Sequence, residues 1–118
     1  MKNELIPLSV CEKQIMSILW ERQPEDIDLY QVQTRAKERF GKVWKLQTIA
    51  TFLKRLENKK YISVYRVGRY SHYHPEVSLV EYRSKEFEDL VKECTEQELQ
   101  LLIKKIEDYK KIKSPEEM

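Results

Sequence analysis

The sequence predicts a mainly α-helical chain with one small β-hairpin: a winged helix-turn-helix over residues 1–75, then a helical dimerisation region over 76–118. Three observations carry this. Three helix-periodic segments come first, and the hydrophobic period then changes at Tyr61 to that of two short strands around Gly68-Arg69. Ser-x-x-Glu boxes mark several helix starts. The net charge of +2 hides a split, with 14 basic against 8 acidic residues in 1–75, and 8 against 12 in 76–118.

The first helix opens on Ser9 and Glu12, spaced as a capping box, and carries Cys11, Ile15, Ile18 and Leu19 on one stripe that Met16 and Trp20 widen. Pro24 ends it. The second helix starts at Asp28 with Gln31 as its capping partner, buries Leu29, Val32, Ala36 and Phe40, and stops at Gly41. The third runs from Lys45 to Asn58. At about 100° per residue, Ile49, Phe52, Leu53 and Leu56 share one arc, opposite Gln47, Thr51, Lys54 and Asn58, with Thr48, Ala50 and Arg55 on the flanks.

Tyr61 to Val67 and Tyr70 to His74 read as strands joined by a tight turn at Gly68-Arg69 and stopped by Pro75. Ser78 with Glu81, and Thr95 with Glu98, open two further helices. The first carries Tyr82, Phe87, Leu90, Val91 and Cys94. In the second, Leu99, Leu102, Ile106 and Tyr109 recur at spacings of 3, 4 and 3, the rhythm of a helix-pairing seam, and with Leu90 of the preceding helix they are the expected dimerisation residues. The tail from Lys113 to Met118, with Pro115, is expected to fray.

Composition narrows the function. Two glycines leave no room for a phosphate-cradling loop, and neither an activated nucleophile nor a Ser/His/Asp pattern appears, so no enzyme and no cofactor is expected. Two cysteines are too few for a disulfide scaffold or a four-ligand zinc site, which suits a reducing cytoplasm. No apolar run approaches the ~20 residues of a membrane span, and Met1-Lys2-Asn3-Glu4 lacks a signal peptide's apolar stretch.

Residues 35–69 hold 11 basic side chains against Glu38 and Glu57, a surface suited to a polyanion. With the third helix in a DNA major groove, Gln47 can pair with adenine, and Thr48 and Thr51 can meet a hydroxyl partner or a thymine methyl. Lys45 and Lys54 can hold phosphates or guanine, and Arg66 and Arg69 on the wing reach backbone or minor groove. The partners expected are double-stranded DNA and a second copy of the chain. A protein-interaction adaptor without DNA binding remains an alternative, as does a metal- or redox-responsive sensor on the same fold. For the sensor, His72 and His74 share a strand face, where wing packing or phosphate contact competes with metal binding. Cys94 stands at a helix junction, while Cys11 reads as a small buried hydrophobe. Tyr61, Tyr65, Tyr70 and Tyr73 can stack on bases or pack across the hairpin.

The run Ser9-x-x-Glu12-x-x-Ile15-Met16-x-x-Leu19-Trp20 resembles the opening of the penicillinase-repressor (BlaI/MecI/CopY) family of winged-helix transcriptional regulators. So does Trp44-x-x-x-Thr48-Ile49-x-Thr51-Phe52-Leu53-x-Arg55-Leu56, followed by Lys59-Lys60 and Gly68-Arg69…Tyr73-x-Pro75. The resemblance covers about residues 9–82. It implies a homodimeric bacterial repressor on a short inverted repeat, with Gln47, Thr48 and Thr51 touching DNA, Arg55 the phosphates and Arg69 the wing contact. Lys45-Leu46 stands where the family often has Ser-Pro. The chain also lacks the Asn-Phe pair cleaved in β-lactam-responsive members and the Cys-x-Cys motifs of the copper-responsive branch.

Overall fold

The computed structural model describes residues 4–113. Its elements run α1 (Val10–Arg22), β1 (Ile27–Asp28), α2 (Leu29–Phe40), α3 (Leu46–Asn58), β2 (Ile62–Val67), β3 (Tyr70–Pro75), α4 (Leu79–Lys92) and α5 (Glu96–Lys113). The strands form an antiparallel sheet in the order β1-β3-β2. The five helices and the hairpin thus follow the expected order. The frayed tail expected beyond Lys113 lies outside the described residues, as does the start Met1 to Asn3.

Every capping box read from the sequence is closed. Ser9 pairs with Glu12, Asp28 with Gln31, Ser78 with Glu81 and Thr95 with Glu98, each through two side chain–backbone hydrogen bonds of 2.8–3.2 Å. Gly41 ends α2 in the left-handed region at φ +66°. At the end of α3 the left-handed residue is Lys60, at φ +71°. There the Lys60 amide returns to the Glu57 carbonyl and the Tyr61 amide to Leu56, both at about 2.9–3.0 Å. This is a Schellman closure built without glycine.

Strand β1 has no counterpart in the sequence reading. It pairs Ile27 with Tyr73 and Asp28 with His72. Two residues are too few to display a period, and only the arrival of β3 makes them a strand. The hairpin closes on Val67 and Tyr70 as the last pair. Of its two turn residues only Gly68 has positive φ, at +64°. That is the demand of a type II′ turn, which places glycine first and matches the right-handed strand twist.

One compact unit closes at Tyr82 and a second begins at Arg83. The first holds the core, in which Ile15, Met16, Ile18 and Leu19 of α1 meet Val32 and Ala36 of α2, Ile49, Leu53 and Leu56 of α3, and Tyr61 and Ile62. The chain after the wing is drawn into this core. Val77 and Tyr82 are buried, the Trp20 indole N–H donates to the Val77 carbonyl at 2.8 Å, and the Trp20 and Tyr82 rings meet at 5.5 Å. Cys11, expected inside, is only half-buried, because the α1 stripe turns Glu12 inward in its place.

In the second unit, Lys85 bridges Asp89 at 3.3 Å and the Cys94 thiol donates to the Leu90 carbonyl. None of its described residues is buried. Leu90, Ile106 and Tyr109 are 49%, 43% and 61% exposed, while Leu99 and Leu102 are half-buried. No helix among the described residues is long and apolar enough to cross a membrane.

Candidate nucleic-acid interface

Helix α3 buries Ile49, Leu53 and Leu56, which fixes its rotation about its own axis. With that face inward, Gln47, Ala50, Thr51, Lys54, Arg55 and Asn58 are exposed, and Thr48 is half-buried at the margin. The outward stripe is therefore the expected one, with Ala50 more open than Thr48.

The start of α3 lacks a side-chain cap. Lys45 occupies the N-cap position, and its side chain cannot accept a hydrogen bond from the first amides. Tertiary ties hold the start instead. The Gln33 amide of α2 donates to the Trp44 carbonyl at 2.9 Å, and the Trp44 ring meets Phe52 edge-on at 5.3 Å. The first-turn N–H groups, freed of a cap and beside the Lys45 ammonium, suit an incoming phosphate oxygen.

Farther along the helix, Lys54 lies 3.6 Å from the Glu57 carboxylate. Glu57 thus places one acidic group beside the outward face. A surface pair of this kind contributes only about 0–1 kcal/mol, so Lys54 can exchange Glu57 for a phosphate at small cost. The Arg55 guanidinium stands 5.9 Å from the Phe52 ring centroid, which orients it on the flank. The Thr51 hydroxyl donates to the Gln47 carbonyl one turn earlier, at 3.0 Å.

On the wing, Arg66 and Arg69 are exposed on either side of the turn, and the Arg66 guanidinium donates to the Arg69 carbonyl at 3.3 Å. The base of the wing is tied by Asp26, a residue the sequence reading did not single out. Its carboxylate accepts from the Tyr65 hydroxyl at 2.8 Å and lies 3.1 Å from His74 Nδ1. The hydrogen bond to Asp26 pushes the Tyr65 phenol pKa above its usual value. Tyr73 is raised as well, by burial first and then by the Glu57 and Asp28 carboxylates. No local signal marks Asp26, since its partners lie 39 and 48 residues away.

The two wing histidines do not converge. His74 faces Asp26, while the His72 ring stacks on Tyr65 at 5.8 Å. Among the described residues no group of three or more His, Cys, Asp or Glu side chains could hold a metal ion. The wing tyrosines pack within the protein: Tyr61 against Tyr82, Tyr65 on His72, and Tyr70 edge-on to Tyr30.

A part-buried ion pair ties α1 to the end of α3. Glu12 is 2% exposed and accepts from Lys59 Nζ at 2.7 Å, and Lys59 also reaches the Pro7 carbonyl. Burial alone pushes the Glu12 carboxyl up, but the Lys59 bond and charge, with the Ser9 bonds, outweigh it and hold the pKa below the usual carboxylate value. The bridge pins the first turn of α1 to the residue that ends α3.

A family model described as penicillinase repressor matches residues 8–118. No curated protein matches the chain. Among solved structures, the DNA-binding domain of the repressor BlaI in solution superposes with a TM-score of 0.56 at 23% identity, covering 69% of this chain and 94% of that one. The monomeric form of Bacillus licheniformis BlaI, in complex with the blaP half-operator, gives a TM-score of 0.54 at 24% identity, over 67% of this chain and 92% of that one. At these identities the likeness is one of fold.

Proposed function

The chain belongs to the penicillinase repressor family, a regulatory and not an enzymatic family, and from that premise we propose that it is a sequence-specific DNA-binding repressor acting as a homodimer on an inverted repeat. The observation that carries the reading is the outward face of α3. Gln47, Thr48 and Thr51 present groups suited to base edges, and Lys45, Lys54 and Arg55 present cations suited to the flanking phosphates. Arg66 and Arg69 extend the basic surface along the wing. The half-operator bound by the structurally similar BlaI supports the same use of this fold.

Homodimerisation through 78–112 is argued from the exposed apolar residues of α4 and α5, with Leu90, Leu99, Leu102, Ile106 and Tyr109 at the pairing surface. On α5 the apolar positions Leu99 to Ile112 span an arc of about 200° at 100° per residue, wider than one helix seam needs. A dimer would address half-sites about one turn of DNA, ~34 Å, apart. Repression then follows from occupying the promoter, in a cytoplasmic setting.

Selection of bound duplexes from a random pool tests this with the purified chain. A recovered motif with two-fold symmetry, bound with an affinity that falls steeply with salt, is the expected result. Recovery of no motif, with no salt-sensitive binding at micromolar protein, overturns it and favours a protein-interaction adaptor.

A further inference from the structure

We propose that the centre of α3 reads thymine methyl groups, through the side chain of Ala50 and the methyl of Thr51, beside an adenine contact from Gln47. This rests on the DNA-binding reading above and deepens it.

The argument begins with the Thr51 hydroxyl. It has one proton, and that proton is given to the Gln47 carbonyl at 3.0 Å. The side chain is then unable to donate to guanine O6, to a purine N7 or to thymine O4. Its Cγ methyl remains as its apolar contact group. Ala50 is exposed on the same helix turn and consists of a methyl alone. At 100° per residue the two flank the direction of Gln47, Ala50 by about 60° on one side and Thr51 by about 40° on the other. The middle of the stripe therefore offers two methyls, a Thr51 oxygen that can only accept, and one free amide, because the exposed Gln47 side chain has no protein partner among the described residues.

The major groove supplies one apolar feature, the C5-methyl of thymine, and one edge that an amide reads with two hydrogen bonds, the N6/N7 edge of adenine. Gln47 and Thr51 are four residues apart, about 6 Å along the helix, or about two base-pair steps. An A·T pair read by Gln47 and a thymine within one or two steps of it fit this spacing. The small Ala50 side chain also lets the helix backbone approach the groove floor, where a longer residue would hold it off.

Replacement of thymine by deoxyuridine removes the methyl and leaves pairing intact. With the duplex recovered by selection, each thymine is replaced in turn and the affinity measured for the wild type, Thr51→Ser, Thr51→Val and Ala50→Gly. Thr51→Ser keeps the bond to Gln47 and deletes only the methyl, whereas Thr51→Val deletes the hydroxyl and keeps a methyl. The wild type should lose roughly 3- to 10-fold at one or two steps of each half-site. Thr51→Ser should become indifferent to uracil at one of them, Ala50→Gly at the same or the neighbouring one, and Thr51→Val should keep the wild-type sensitivity. Sequence-selective binding that tolerates uracil everywhere overturns this inference alone. Loss of the uracil effect in Thr51→Val but not in Thr51→Ser also overturns it, in favour of hydroxyl readout. Absence of selective binding by the wild type overturns the DNA reading and this inference with it.

Discussion

The two halves of the chain solve the problem of burial differently. Up to Tyr82, three helices and the sheet enclose a continuous core in which Ile15, Met16, Ile18, Val32, Ala36, Ile49 and Leu56 have no exposed surface. From Arg83 onward no described residue is buried, although Phe87, Leu90, Leu101, Ile103, Ile106, Tyr109 and Ile112 are large, apolar and exposed. The first region is complete as a single chain. The second is well capped and helix-forming, but two helices cannot enclose an apolar arc of about 200°. A contiguous exposed apolar surface marks an interaction face. The contrast therefore favours pairing through the acidic half, leaving the basic half free to meet a polyanion.

Breaking the second region should have the largest effect on binding. Leu102→Glu with Ile106→Glu places four like charges across a pairing seam and should give a monomer by sedimentation. Operator affinity should fall by about 10²- to 10⁴-fold, because the second half-site is no longer tethered. An unchanged dimer would remove α5 from the interface. Next, Leu53→Ala, in the core beneath α3, should destabilise the fold by about 2–5 kcal/mol in urea melts. Leu101→Ala, made in the Leu102→Glu, Ile106→Glu monomer where the site stays exposed, should cost within about 0.5 kcal/mol. Equal losses at the two positions would erase the distinction between the regions.

The Glu12–Lys59 pair at the end of α3 gives a smaller effect with a sign. The folded pKa of Glu12 lies below its unfolded value, so its stabilisation is fully present above the ordinary carboxylate pKa. It is lost as pH falls through the lowered folded value. Glu12→Gln should therefore cost about 1–3 kcal/mol at neutral pH, and the two stability curves should converge in acid. Parallel curves across that range would assign the pair no role. Smallest is a gain: Lys60→Gly relieves a side chain at φ +71° and should raise stability by up to about 1 kcal/mol, read as a higher melting temperature.

Much of this was legible in the residues. The four capping boxes, the burial of Ile49, Leu53 and Leu56, the left-handed Gly41 and the hairpin turn at Gly68 all depend on neighbours within a few positions. Strand β1, Asp26 and the Glu12–Lys59 bridge were not legible, since their partners are tens of residues distant and their own neighbourhoods look ordinary. Lys60 was hidden for another reason. Lysine carries no preference for the left-handed region, and the Lys60 and Tyr61 amides returning to the helix end hold it there.

What the sequence determined by itself is the order of elements, the faces that α2 and α3 bury and the separation of a basic from an acidic half, because periodicity, capping and charge are local quantities. The tertiary structure alone decided how α3 is held at its uncapped start, which carboxylate anchors the wing, and which lysine pairs with the buried Glu12. Each of these joins residues 11 to 48 positions apart, and only the packed chain brings them together.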